Sequence, residues 1–235
     1  MQIDIITLFP DIYFGPFSES IIARAIKKDI IKINTINLRD YTEDRRKSVD
    51  DTTYGGGPGM LMTPGPLFEA VEANKKENSY VILTTPQGDV FNQKMAKELS
   101  KKENLLIVCG HYEGIDERVK EKLIDKEISI GDYVLTSGNL PAMVIVDSLA
   151  RLIPGVLGDN LSSQEESFEN DLLEYPQYTK PIEFRGMKVP DILLSGNHKL
   201  IKDWRKEQAI FKTKRRRPDL YKKFIEKKKC RAGDI

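Results

Sequence analysis

The 235-residue sequence predicts an α/β domain with a mostly parallel sheet, followed by a smaller helical domain. Two observations lead to this prediction. Over the first 155 residues, short β-branched runs alternate with amphipathic stretches, the order expected of parallel strands joined by helices. Beyond residue 190 the sequence is basic and has a helical pattern. Apolar residues make up 40% of the chain and charged residues 31%, the balance of a globular protein with a buried core.

The first elements follow from local residue patterns. Residues 3–9 (IDIITLF) form a strand candidate that ends in a turn at Pro10. Residues 18–28 carry apolar side chains at the helical period, with Ser18 as the candidate N-cap. Residues 30–38 alternate apolar and polar side chains, which indicates a half-exposed strand.

Two later segments are continuous apolar runs. Residues 80–83 (YVIL) and 105–108 (LLIV) are typical of strands that are covered on both faces. Helical patterns separate and follow them, at residues 92–101, 115–123 and 141–151. The resulting order of strands and helices is that of a parallel α/β sheet.

The alternation stops at an acidic segment, residues 159–178, which has no clean period. A segment of this length without a pattern is usually functional or a linker. We therefore predict an α/β domain over residues 1–158, an acidic connector over 159–178 and a basic helical domain over 179–235.

The formal net charge of +1 conceals an asymmetry between the two parts of the chain. Residues 196–235 contain 15 Lys and Arg against 5 Asp and Glu, so the remaining residues carry a net charge of −9. Such a split favours a polyanionic partner, nucleic acid above all, because Lys and Arg neutralise phosphates. A solvated helical surface with a basic tail would give the same composition, and net charge does not choose between the two.

Several classes of protein are excluded by composition. Cys109 and Cys230 are too few for a disulfide scaffold, and with His111 and His198 they form no zinc-finger spacing. No apolar run is long enough to span a bilayer, and the first ten residues lack the pattern of a signal peptide. We expect a cytoplasmic protein without membrane contact.

Four loops next to the predicted strands are candidates for ligand binding. Residues 50–60 hold four glycines within five positions, which leaves backbone N–H groups open to a phosphate or a sugar. This loop matches neither the P-loop nor the dinucleotide-binding motif, and a flexible surface loop is the alternative. Residues 84–88 and 109–118 follow apolar strands, at the edge where open α/β sheets bind ligands. In residues 128–142, Gly131 and Gly138 bracket a short apolar piece that leads into a helix, and this loop would complete a site for one small ligand.

Two reactive side chains in these loops have simpler interpretations. His111 is a candidate general base, but a single histidine without an evident partner is more often structural. Cys109 directly follows an apolar strand, so a buried small hydrophobe is favoured over a nucleophile.

The loops belong to a longer series of motifs, in a fixed order: Leu8-Phe9-Pro10, residues 50–60, Pro86-Gln87-Gly88, residues 110–118, residues 128–142, residues 151–158 (RLIPGVLG), residues 175–181 (YPQYTKP), residues 194–198 (LSGNH) and Trp204-Arg205. In this order and at these spacings, the chain resembles the bacterial tRNA (guanine-N1)-methyltransferases over essentially its whole length. Any one motif alone would be weak evidence.

The resemblance implies a deep trefoil knot in the α/β domain, with S-adenosyl-L-methionine bound in it. It also implies a homodimer whose active site lies between subunits. Members of the family use magnesium, although no carboxylate cluster in this sequence requires a dedicated metal site. The matching cofactor positions are Thr84, Thr85, Pro86, Gly88, Gly110, Tyr112, Glu113, Ile130, Gly131, Asp132, Tyr133, Val134, Leu135, Gly138 and Pro141.

The implied reaction is methylation of N1 of the guanosine at tRNA position 37, beside the anticodon. Glu166 matches the carboxylate that removes the N1 proton, and Arg151 matches the arginine that stabilises charge on O6. Many members carry aspartate at the position of Glu166, and Glu165 and Glu169 are the alternatives here.

The resemblance also assigns residues to the tRNA substrate. Glu174 matches an acidic position that seats the guanine, while Lys212 and Lys214 join the arginines of the basic domain as phosphate contacts. Besides these two lysines, the implied set is Asp50, Gly55, Gly56, Gly57, Pro58, Gly59, Glu174, His198, Arg205, Arg215, Arg216 and Arg217. The sequence departs from the family at Arg46 and Thr53, where histidine and proline are usual, and at Ser137 and Asn139, where glycine and glutamate are usual.

Two rival functions follow from the same features. A knotted methyltransferase acting on ribose hydroxyls or ribosomal RNA would need no base aimed at a ring nitrogen, and it would lack the segments 50–60 and 172–176 (LLEYP). A non-catalytic RNA-binding protein of the same fold would not need intact ligand loops.

Overall fold

The computed structural model describes residues 1–157 and 166–233. The chain divides into two compact units, Met1–Gly158 and Asp159–Ile235. The alternative base Glu165 lies outside the described residues, as does the first part of the predicted connector, up to residue 165.

A five-stranded parallel sheet forms the centre of the first unit, as the α/β prediction requires. Its strands lie in the order β2-β1-β6-β5-β7, and every neighbouring pair is parallel. Two short strands, β3 and β4, form a separate antiparallel pair. The strands are β1 Gln2–Thr7, β2 Lys32–Asn37, β3 Asp50–Asp51, β4 Leu61–Met62, β5 Ser79–Val90, β6 Asn104–Cys109 and β7 Lys126–Ser129.

Helices cover both faces of this sheet. They are α1 Phe14–Phe17, α2 Ser20–Lys27, α3 Pro64–Asn74, α4 Gln93–Leu99, α5 Glu117–Leu123 and α6 Asn139–Ala150, with 3-10 turns at Pro10–Tyr13 and Leu38–Tyr41. Side chains cap two of them: Asn92 accepts a hydrogen bond from the Met95 N–H, and Asp116 accepts one from the Arg118 N–H.

The prediction of Ser18 as a helix N-cap is wrong. The short helix α1 ends at Phe17, so Ser18 becomes its C-cap and donates its hydroxyl to the Gly15 carbonyl at 3.1 Å. Glu19 occupies the N-cap position of α2 and makes no capping hydrogen bond through its side chain. Helix α6 likewise begins at Asn139, two residues before the predicted start.

The apolar runs predicted as covered strands are buried on both faces. In β6, Leu105 and Ile107 belong to one hydrophobic cluster, which contains residues of α2, α4 and α6. Leu106 and Val108 point to the opposite face and join a second cluster with residues of α3 and α5. The sheet therefore lies between two cores, and its carboxyl edge remains available for a site.

Strand β5 differs from the predicted short strand. It continues to Val90, and its pairing with β7 shifts, since both Thr84 and Asp89 face Ile128. The predicted loop 84–88 is therefore a bulge inside a twelve-residue strand.

The second unit is mostly helical in the part that the structure describes. Its elements are a hairpin of β8 Glu183–Phe184 and β9 Met187–Lys188, a 3-10 turn at Glu169–Asp171, and the helices α7 Asp191–Leu194, α8 His198–Arg216 and α9 Pro218–Gly233. The Asn197 side chain caps α8 by accepting from the Leu200 N–H at 3.2 Å. No helix within residues 1–157 and 166–233 is long and apolar enough to cross a membrane.

Candidate active site

A cavity of about 450 Å³ opens at the carboxyl edge of the parallel sheet. Its walls are the β5 bulge, the loop after β6 and the loop after β7, together with the start of α6. This volume lies in the range typical of pockets that enclose one small ligand. Open α/β sheets bind ligands at this edge, so the cavity is the leading candidate site.

The cavity brings together most of the predicted cofactor positions. Gly88 and Asp132 do not line it, whereas these do: Thr84, Thr85, Pro86, Gly110, Tyr112, Glu113, Ile130, Gly131, Tyr133, Val134, Leu135, Gly138 and Pro141. A Cβ added at Gly88 would lie 2.3 Å from the Ile128 nitrogen. Glycine at position 88 is therefore required by backbone packing between β5 and β7.

The three loops meet at Gly138. Its N–H donates to the Gly110 carbonyl at 2.7 Å, and its carbonyl accepts from the Thr84 hydroxyl at 3.1 Å. An added Cβ would lie 2.0 Å from the Thr84 Oγ1 atom and 2.9 Å from the Gly110 nitrogen. Because no side chain fits this space, glycine is needed here for close approach of the loops rather than for an unusual backbone angle.

A buried hydrogen-bond network fixes the end of the third loop. Asn139, the first residue of α6, accepts hydrogen bonds from the hydroxyls of Thr7 at 2.8 Å and Tyr13 at 2.9 Å. Burial raises the pKa of Tyr13 well above its ordinary value, which keeps this hydroxyl protonated as a donor. Asn139 stands where glutamate is usual in the family. It therefore buries a neutral amide at a position where glutamate would bury a carboxylate.

The cavity wall also contains residues outside the predicted cofactor positions, among them Gln87, Glu117 and Lys120. Gln87 and Glu117 lie in loops that were predicted to bind a ligand, and Lys120 lies outside those loops. The Lys120 ammonium donates to the Gln87 side-chain oxygen at 2.9 Å and pairs with the Glu117 carboxylate at 2.9 Å. Helical spacing was the available signal, because residues 117 and 120 lie one turn apart on α5.

The loop of residues 50–60 approaches the cavity from outside the sheet. The Met60 carbonyl accepts from the Glu113 N–H at 3.0 Å, and Gly59 lies so close that an added Cβ would be 2.5 Å from the Glu113 Cγ atom. Gly55, Gly56 and Gly57 all have positive φ and are exposed. The glycine tip of this loop is therefore accessible, while its base is tied to the cavity wall.

Tyr112 connects the same loop to the cavity. It has a φ of 57°, uncommon for a residue with a side chain, and it is partly exposed. Desolvation and the neighbouring Asp50 carboxylate raise the pKa of Tyr112, while Arg39 opposes that shift. Asp50, a predicted substrate residue, thus interacts with a cofactor-loop residue.

Cys109 and His111 are both packed against neighbouring side chains. Cys109 is buried against the Tyr13 hydroxyl at 3.1 Å, and burial raises the pKa of its thiol to about 12, which disfavours a nucleophilic thiolate. The His111 ring packs between Phe9 and Tyr112, with centroids 5.4 and 4.7 Å away. Its Nδ1 atom is buried and has no hydrogen-bond partner among the described residues.

The residues predicted to perform the chemistry lie on both units. Arg151 directly follows α6 and is partly buried. Glu166 and Glu174 belong to the second unit, and both are partly buried. The Glu174 N–H donates to the Ser167 hydroxyl at 3.0 Å, and the Gln177 side chain donates to the Glu174 carboxylate. The side chain of the alternative base Glu169 lies outside the described part of the chain.

The predicted phosphate contacts are not equivalent. Lys214, Arg215 and Arg216 are exposed near the end of α8, and His198 is exposed at its start. Arg217 is engaged instead by Asp219, with two hydrogen bonds of 2.9 and 2.7 Å that lower the pKa of that carboxyl to about 2.

Two further basic residues also have partners inside the second unit. Lys212 donates to the Glu174 carbonyl at 2.9 Å, and the Arg205 guanidinium lies 4.8 Å from the centre of the Tyr175 ring. The sequence showed the charge of these side chains but not their partners. Residues 214–216 therefore form the accessible basic cluster at the end of α8.

Glycine-rich loops that converge at the carboxyl edge of a parallel sheet define an α/β ligand-binding protein, here carrying a basic helical unit. The model of the tRNA (guanine-1)-methyltransferase TrmD family matches residues 1–223. The chain therefore belongs to this family of enzymes, which confirms the resemblance seen in the sequence.

Curated relatives support the same assignment, each named tRNA (guanine-N(1)-)-methyltransferase. The protein of Dictyoglomus turgidum is 59% identical over 223 residues, covering 95% of this chain and 91% of the relative. The protein of Carboxydothermus hydrogenoformans is 58% identical over 222 residues, covering 94% and 88%. The protein of Bacillus cereus is 55% identical over 223 residues, covering 94% and 91%.

Proposed function

We propose that this protein transfers a methyl group from S-adenosyl-L-methionine to N1 of the guanosine at tRNA position 37. The observation that carries the proposal is the meeting of three cavity loops at Gly138, in a chain of this family. The cofactor would supply an activated methyl group on a sulfonium sulfur. Everything else must come from the protein, which has to bind, orient and deprotonate the base.

The cavity residues fit such a cofactor. Pro86, Ile130 and Leu135 offer apolar surface for a purine ring, while the glycine-rich loops present backbone N–H and carbonyl groups to its edges. Glu113 and Glu117 also line the cavity, and carboxylates favour a ligand that carries positive charge.

Glu166 would act as the general base and Arg151 as the electrostatic partner. N1 of neutral guanine carries a proton and is a poor nucleophile until that proton is removed. A carboxylate on N1–H accepts the proton, and a guanidinium on O6 stabilises the negative charge that develops there. Glu174 would seat the guanine beside them.

Electrostatic contacts would bind the tRNA, and contacts to the anticodon loop would select the guanosine. Lys214, Arg215 and Arg216 would contact phosphates of the anticodon stem and thereby position the substrate. Selection of the guanosine would depend on base edges in the single-stranded anticodon loop, with the exposed glycine tip of residues 55–59 close to the cavity.

We also propose a homodimer with a shared site and a trefoil knot in the α/β unit. Leu140 and Val144 lie one turn apart on α6 and are about half exposed, and Val134 in the preceding loop is 84% exposed. Apolar side chains grouped on one surface favour association with a partner. The knot is proposed from the family alone, since the contacts of Gly138 with Gly110 and Thr84 show that the loops meet and not how the chain is threaded.

Nucleoside analysis tests the proposal. The protein is incubated with methyl-labelled S-adenosyl-L-methionine and a tRNA that has guanosine at positions 36 and 37, with and without magnesium. We expect label in 1-methylguanosine, and none when adenosine replaces the guanosine at position 37. Label in a ribose methyl group, or no transfer under either condition, would overturn the proposal in favour of one of its rivals.

A further inference from the structure

A buried hydroxyl joins α8 to the segment that carries the proposed base. Thr213 is fully buried, and its hydroxyl donates to the Ala209 carbonyl at 2.6 Å. The same oxygen accepts the Leu173 N–H at 2.8 Å. Because the hydroxyl proton is donated within the helix, the Thr213 oxygen can only accept a hydrogen bond from Leu173. The Leu173 N–H is such a donor, so both hydrogen bonds form at once.

The segment on the other side of this bond is a closed and strained loop. The Phe168 N–H donates to the Leu172 carbonyl at 2.7 Å, and the Glu174 N–H donates to the Ser167 hydroxyl at 3.0 Å. Phe168, Asn170 and Asp171 have φ values of 76°, 53° and 60°; Asn and Asp adopt this left-handed region readily, whereas it is unfavourable for Phe168. Such backbone persists only where surrounding contacts hold it, so residues 166–174 depend on their anchors.

Further anchors of this segment involve charged or aromatic side chains. Lys212 donates to the Glu174 carbonyl, Arg205 stacks on Tyr175, and Lys227 pairs with Asp171. Thr213 differs from them because its side chain is neutral and fully buried, so its hydrogen bonds carry no net charge for salt to screen. Its three C-terminal neighbours on α8 are the exposed residues 214–216.

We propose that Thr213 is a positioning residue that fixes the loop of residues 166–174, and with it Glu166, on the helix that holds the tRNA. This inference rests on the proposed function, in which Glu166 accepts the N1 proton and residues 214–216 contact phosphates. One rigid helix then sets both the position of the substrate and the position of the base, which is how enzymes reduce the entropic cost of the reacting geometry.

The variant Thr213→Val tests this role because it keeps the shape and removes both hydrogen bonds. It removes the partner of the partly buried Leu173 N–H and should thereby loosen the loop. We expect kcat to fall by about 10- to 100-fold, as small displacements of reacting groups do. The KM for tRNA and the affinity for S-adenosyl-L-methionine should stay unchanged. Thr213→Ser retains the hydroxyl and should restore kcat.

A second substitution avoids the core. Lys212→Met removes the bond to the Glu174 carbonyl at a partly buried position and should lower kcat in the same direction. Lys202→Met removes a charge from an exposed position of the same helix and serves as the matched control. Equal kcat in the wild type and Thr213→Val, equal loss in Thr213→Val and Thr213→Ser, or a loss confined to the KM for tRNA would overturn the inference.

Hydrogen exchange separates this inference from the proposed function. The Leu173 amide should exchange faster in Thr213→Val than in the wild type and Thr213→Ser, whether or not the protein is active. Faster exchange with no methylation by the wild type would refute the proposed reaction, and with it the catalytic role inferred for Thr213. Unchanged exchange, in a wild type that methylates guanosine 37, would refute the anchoring role alone.

Discussion

In the proposed reaction Glu166 accepts the N1 proton. Replacing one of its carboxylate oxygens by an amide nitrogen, as in Glu166→Gln, tests this role. Glu166→Gln keeps the size of the side chain but does not accept the N1 proton. General-base catalysis usually contributes about 10²- to 10⁴-fold, so the single-turnover rate should fall by that factor while cofactor affinity stays constant. Rapid-quench assays on a tRNA with guanosine at positions 36 and 37 measure the rate.

The neighbouring acidic residues are the controls for this prediction. Glu165→Gln and Glu169→Gln should retain most of the rate, and Glu166→Asp should be milder than Glu166→Gln because many members of the family carry aspartate there. A near-normal rate for Glu166→Gln, with a large loss in one of the neighbours, would assign the base to that neighbour.

The substitution Gly138→Ala tests whether the cavity loops need glycine in order to meet, because it adds a single methyl group at that point. In Gly138→Ala the new Cβ would overlap the Thr84 Oγ1 atom and press on the Gly110 nitrogen, so the loops must separate. We expect a loss of about 1–3 kcal/mol of unfolding free energy and weaker binding of S-adenosyl-L-methionine. Denaturant unfolding and titration calorimetry measure the two effects. Gly65→Ala is the control for stability, since nothing lies within 4 Å of its added Cβ.

At the scale of an element, the end of α8 determines how the tRNA is held. Reversing the charge of Arg215 and Arg216 together should weaken tRNA binding and leave the affinity for S-adenosyl-L-methionine unchanged. The slope of log affinity against log salt should shrink by roughly 0.7–0.9 for each phosphate that the variant no longer neutralises. Arg217 is left out of this variant because Asp219 already engages its guanidinium.

Binding measured over a range of salt concentrations checks the prediction for α8. Charge reversal at Lys94, an exposed lysine of α4 in the first unit, is the matched control and should leave the slope as it is in the wild type. An unchanged slope in the double variant would show that residues 215 and 216 are a solvated surface and that the tRNA is bound elsewhere.

Elements were predictable where their signal is local. The continuous apolar runs at 80–83 and 105–108 are buried strands, because a strand covered on both faces needs apolar side chains at every position. Ser18 shows the limit of the same reasoning: its residue type suits a cap, but the preceding short helix takes it as a C-cap. The bulge at 84–88 depends on the register with β7, which no local pattern contains.

At the scale of the whole molecule, the proposed shared site requires two chains. Val144→Lys places a charge on the exposed apolar surface of α6, so we expect a folded monomer that has lost methylation activity. Sedimentation velocity and the nucleoside assay measure the two properties. Val90→Lys changes a similarly exposed valine of β5 and should remain dimeric and active. A Val144→Lys monomer that methylates tRNA at the full rate would contradict the shared site.

The sequence by itself determined the α/β class, the buried strands at 80–83 and 105–108, the family and most of the residues that line the cavity, but it did not predict helix α3 (Pro64–Asn74) or strand β7 (Lys126–Ser129). These properties depend on local periodicity and on motifs whose spacing is written in the chain. The motifs named the loops, but they did not show that the loops meet at Gly138.

Only the tertiary structure decided which side chains are partners, because those contacts join residues that are far apart in sequence. Asn139 is held by Thr7 and Tyr13, which precede it by 132 and 126 residues. Thr213 receives the N–H of Leu173, 40 residues earlier. The residue type in the sequence does not show whether a hydroxyl or an amide is solvated or hydrogen-bonded in the core. The role of such a group is set by the burial and geometry that folding imposes.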